Sequence, residues 1–106
     1  MSRTAKLIKL NNLQYNPNRD PQFYRRTIDQ EFRLQVVLEG TGTATVRFTA
    51  EDTVLCEQSV ALPGSFDCRF SFASPGSRVG VLTVEANGAR EQQYIRLDVE
   101  ERAWIG

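Results

Sequence analysis

Apolar and polar residues alternate with a period of two through most of this chain. Phe32, Leu34, Val36 and Leu38 alternate with Glu31, Arg33, Gln35 and Glu39. Ala44, Val46, Phe48 and Ala50 alternate with Thr45, Arg47, Thr49 and Glu51. Phe66, Cys68, Phe70 and Phe72 alternate with Asp67, Arg69 and Ser71, and Ile95, Leu97 and Val99 with Arg96, Asp98 and Glu100. Successive side chains of a strand point to opposite faces, so each run predicts a strand with one face on a core and the other in water. Val54–Ala61 and Val79–Ala86 are rich in β-branched residues. Val54, Cys56 and Val60, then Leu82, Val84 and Ala86, are assigned inward. No segment carries an amphipathic helix.

Turn chemistry falls between the runs. Gly40-Thr41-Gly42, Glu51-Asp52, Pro63-Gly64, Pro75-Gly76 and Asn87-Gly88 supply the preset or positive φ that turns need. Asn87-Gly88 predicts a tight hairpin. With Lys6–Leu10 as the first strand, the count is about seven. The expected fold is all-β: one antiparallel β-sandwich spanning residues 1–106, immunoglobulin- or fibronectin-III-like. A small closed barrel is the alternative. Asn11–Asp29 breaks the pattern with Pro17, Pro21 and four Asn residues. It is expected to be a long loop or irregular segment, with a short edge strand around Gln22–Ile28.

Between Gln30 and Glu100 the order of features carries a resemblance. A strand ends in Glu39-Gly40-Thr41-Gly42. Ala44-Thr45-Val46-Arg47-Phe48 follows, then Glu51-Asp52, Leu62-Pro63-Gly64, a Phe-rich strand, Pro75-Gly76 and Val81–Asn87. This resembles the CARDB-like branch of bacterial immunoglobulin/fibronectin-III-like sandwiches. The family often has Asn where Glu39 stands. The resemblance implies a sandwich with an accessory or binding role, and no active site.

Composition narrows the chemistry. The 106 residues include 13 basic and 13 acidic side chains, for a formal net charge of zero. That balance counts against a nucleic-acid binder. There is no His, so the usual general base and the commonest metal ligand are both missing. No nucleophile elbow, P-loop or dinucleotide fingerprint occurs. Most of the acidic residues fall on outward strand positions or in turns. No catalytic residue, cofactor or metal is assigned, and the expectation is a protein that is not an enzyme. No stretch approaches the length of a membrane span, and the first ten residues lack an apolar leader core. A cytoplasmic protein is the expectation, a secreted one if the start is trimmed.

Cys56 and Cys68 lie twelve positions apart around the Pro63-Gly64 turn. They are either a disulfide closing a short loop or two buried thiols acting as small hydrophobes. A cytosolic location favours thiols.

Two groups favour recognition. Tyr15, Arg19, Phe23, Tyr24, Arg25 and Arg26 concentrate aromatics and arginines in one segment, a composition suited to binding hot spots. The competing account has Phe23 and Ile28 plugging the end of the sandwich. Tyr94 and Trp104 fall on the outer face of the last strand. The resulting expectation is a protein-interaction or assembly module with an unidentified protein partner, and a strand edge open to homodimerisation. The alternative is a carbohydrate-binding domain stacking sugars on Tyr15, Tyr24 and Trp104.

Overall fold

The period-two segments pair into two sheets that share one hydrophobic core. The structure, a computed structural model, describes residues 4–16, 18 and 24–101. Among them are nine strands and no helix: β1 (Ala5–Leu10), β2 (Leu13–Gln14), β3 (Arg26–Thr27), β4 (Phe32–Leu38), β5 (Thr43–Ala50), β6 (Thr53–Ala61), β7 (Gly64–Phe70), β8 (Gly76–Ala86) and β9 (Ala89–Glu100). One sheet has the order β2-β1-β4-β7 and the other β3-β9-β8-β5-β6. Seven strands correspond to the runs read from the sequence. The other two have two residues each and lie in the segment expected to be irregular.

The long strands pair antiparallel; β3 runs parallel to β9, with Arg26 opposite Val99 and Thr27 opposite Glu100. The β8–β9 hairpin turns on Asn87 and Gly88, both at positive φ. That is the geometry a two-residue hairpin with right-handed strand twist requires. Glu51 and Asp52 take the same left-handed region between β5 and β6.

Inward side chains of both sheets form a single cluster. Phe32, Phe48, Phe70 and Phe72 fill one end, with Phe32 and Phe70 stacked at 5.3 Å. Arg78 closes that end, its guanidinium 4.2 Å from the centre of the Phe72 ring. Its Nε lies 2.6 Å from a Glu51 carboxylate oxygen but off the N–H direction, an ionic contact rather than a hydrogen bond.

Val54 does not point inward. Cys56 pairs with Phe48 but Val54 pairs with Thr49, so Leu55 is an extra residue in β6. A bulge of this kind reverses the alternation beyond it. Leu55 packs against the core, and Val54 emerges on the outer face.

The expectation of reduced thiols is also corrected: Cys56 and Cys68 form a disulfide. The Pro63-Gly64 turn carries the chain from the edge of one sheet to the edge of the other. The two cysteines therefore face each other across the layers with Cα atoms 5.9 Å apart, within reach of a bridge. Among the described residues no helix is long and apolar enough to cross a membrane.

Candidate functional site

Most of the arginine- and aromatic-rich segment is engaged within the molecule. Tyr24, expected as an exposed platform, is only 1% exposed. Its hydroxyl donates to the Gln14 carbonyl at 2.7 Å and accepts from the Asn16 amide at 3.1 Å. A phenol is apolar along its body and polar at its tip, so it fills the core while tying down the chain that covers it. Asn11 holds the same segment from the other side. Its Nδ2 donates to the Tyr24 carbonyl, and its Oδ1 accepts from the Arg33 amide. Tyr24→Phe keeps the packing and removes both hydroxyl bonds. The expected loss is about 1–2 kcal/mol, measured by urea unfolding; a loss below the error of that measurement refutes this account of the hydroxyl.

Tyr15 is half-buried, its ring 5.4 Å from that of Tyr24, and its hydroxyl accepts the Arg96 amide at 3.1 Å. Arg25 lies between Asp98 at 2.6 Å and Glu100 at 2.7 Å. The Asp98 hydrogen bond, with the charges of Asp98 and Glu100, raises its pKa above the ordinary arginine value. Arg26 donates Nε to the Glu31 carbonyl at 3.1 Å. These bonds anchor the segment along the β9 side of the fold. Arg19, Phe23 and Trp104 lie outside the described residues.

Tyr94 stands apart. It is 65% exposed, the most open of the large apolar side chains among the described residues. Strand register places it at the end of a row across four strands. Val54 on β6 is opposite Thr49 on β5, Thr49 is opposite Val81 on β8, and Val81 is opposite Tyr94 on β9. Val79 follows Val81 on the same face and is also exposed. The apolar row therefore crosses the outer face of the five-stranded sheet.

Charged groups border this row. The Arg47–Glu57 ion pair lies on one side, and Arg96 with the Arg25–Asp98 pair on the other. An apolar centre with a charged rim is the usual composition of a protein-interaction surface. The outer face of the other sheet is more polar. There Arg33 pairs with Asp67 at 2.9 Å, and the Arg33 hydrogen bond holds the Asp67 carboxyl below its ordinary range.

A cleft of about 430 Å³ opens where β8 turns into β9. Lys6, Glu39, Thr41 and Asn87 line it, and no aromatic ring does. Among the described residues no three His, Cys, Asp or Glu side chains are grouped to hold a metal ion.

Of the sequence-assigned residues, the structure keeps Tyr94 on an open surface and turns Tyr15, Tyr24 and Arg25 to internal bonding. Val54, Val79 and Val81 were not singled out as site residues. Val79 and Val81 alternate with the inward Leu82, Val84 and Ala86, which was a usable signal. Val54 had none, because nothing in the residue types marks the Leu55 bulge. No protein-family model, curated protein or solved structure matches the chain.

Proposed function

We propose that this chain is a non-catalytic protein-interaction module that binds through the outer face of the five-stranded sheet. The observation that carries this reading is the outer-face row from Val54 to Tyr94, exposed at both ends and half-buried at Thr49 and Val81, with its charged border. Rigid paired strands present the row, so little ordering entropy opposes binding. In this reading the fold is an immunoglobulin-like sandwich. What supports it is the grouping of β1-β4-β7 against β9-β8-β5-β6, which follows the A-B-E and G-F-C-C′ grouping of that class. The Cys56–Cys68 bridge departs from that pattern, because it joins the C′ and E positions rather than B and F. The bridge also favours a working place outside the reducing cytosol.

The test is affinity capture from the native extract with wild type, Val54→Glu, Val79→Glu and Tyr94→Ala. Val37→Glu, on the opposite sheet, is the control. The expected result is one stoichiometric protein, retained by the control and weakened by on the order of 30-fold in the other three. Capture unchanged by all of them overturns the reading. Retention on a polysaccharide gel that only Tyr94→Ala abolishes would instead favour sugar binding, whose other described aromatics are buried or half-buried.

A further inference from the structure

Among the described residues, the five-stranded sheet is closed along its β9 side only in part. β3 covers β9 at Val99 and Glu100, and the Ile28 amide donates to the Glu100 carbonyl at 2.9 Å. Next along the strand, the Arg96 amide donates to the Tyr15 hydroxyl. These contacts fix the polarity of the edge: even-numbered residues of β9 turn their backbone groups away from β8. From Ala89 to Ile95 no described strand lies beside β9. Arg90, Gln92 and Tyr94 thus present donors and acceptors along an edge that no strand among the described residues pairs with, which is a template for another strand. The opposite edge, β6, is not equivalent. Its ladder is interrupted at Leu55, and Cys56 ties it to β7.

We propose that two copies of this chain pair β9 with β9, antiparallel, about a two-fold axis through Gln92. The two five-stranded sheets then become one continuous sheet. The open window is centred on Gln92. In this register Gln92 faces Gln92, and Arg90 of each copy faces Tyr94 of the other. Each facing pair exchanges two backbone hydrogen bonds. On the outer face a guanidinium meets an aromatic ring twice, and two amides meet at the axis. Adjacent registers are worse. Moving the axis to Gln93 sets Arg90 against Arg96 and requires the Arg96 amide that Tyr15 already holds. Moving it to Glu91 sets Tyr94 against Gly88, in the turn. The interface is isologous, so the assembly stops at two copies. It uses the edge of the sheet and goes beyond the proposed role of its face.

Sedimentation velocity of the full chain over a concentration series tests the proposal. The expected result is a concentration-dependent species with twice the mass of one chain. Gln92→Pro removes the outward amide at the axis, a replacement that an edge strand tolerates. It is expected to raise the dimer Kd on the order of 30-fold or more. Gln92→Cys supplies an independent reading. Facing hydrogen-bonded residues lie about 5.5 Å apart at Cα, within disulfide reach. That variant is expected to form a covalent dimer on mild oxidation, and Arg96→Cys, also exposed, to remain uncrosslinked. A single-chain mass at all concentrations overturns the proposal. So does crosslinking of Arg96→Cys as fast as Gln92→Cys, or a dimer that a folded Gln92→Pro leaves unchanged. If Gln92→Pro loses its circular-dichroism signal, the cysteine pair decides. A monomer whose partner capture still depends on Val54 and Val79 would sink the dimer and leave the interaction face standing.

Discussion

Phe48→Ala is expected to cost about 3–5 kcal/mol, a large part of the stability of a domain this size. Phe48 is fully buried on β5, 5.2 Å from the Phe70 ring. It lies over Gly80 on β8, opposite Ala50. A Cβ on Gly80 would stand 2.3 Å from Phe48 Cζ, a separation that real atoms do not tolerate. The ring occupies the space that a side chain at Gly80 would need. Gly80→Ala is therefore expected to destabilise by about 1–3 kcal/mol through overpacking. Combining Gly80→Ala with Phe48→Leu should cost less than the sum of the two single changes, because they share one volume. Urea unfolding midpoints of the four proteins measure this coupling. Strict additivity would show that the ring and the glycine do not compete for the same space.

Breaking the disulfide is the second large effect. The bridge closes a loop with a sequence separation of 12. Removing a constraint of that length from the unfolded chain costs about 3 kcal/mol in the chain-entropy model. The expected drop in Tm is roughly 10–20 °C for a domain of this size. Thermal unfolding with and without reductant checks it, with Cys56→Ala/Cys68→Ala as the reagent-free counterpart. Alanine is preferable to serine, because Cys68 is 1% exposed and a hydroxyl there would be buried among apolar groups. Equal melting temperatures with and without reductant would mean that the two layers hold together without the bridge.

The paired strands were legible because each buries one face, so burial writes itself into the alternation. Phe32 to Leu38 and Ala44 to Ala50 are buried at every second position, as read. Three features left no such trace. The Leu55 bulge inserts a residue without a Gly or Pro to announce it. Tyr24 is buried in a segment too short and too polar for periodicity to operate on. Its place depends on bonds to Gln14, Asn16 and Asn11, which only the fold brings near. The interaction row depends on register among four strands, a property of pairs that no single run contains. Tyr94, Val79 and Val81 could each be placed on the outside from their own strands, but not beside one another or beside Val54.

The parallel β3–β9 pair bears on when this chain can finish folding. The Arg25–Asp98 ion pair beside it joins residues 73 positions apart. Contacts so distant in sequence slow folding, because the intervening chain must be ordered before they form. During synthesis the segment around Tyr24 emerges early, yet its docking strand is the last of the nine. Until β9 is made, Arg25 and the β3 residues lack the strand that fixes them. A stalled or slowly translated chain would then leave the core, which Ile95, Leu97 and Val99 close, exposed to chaperones and proteases for as long as β9 is delayed.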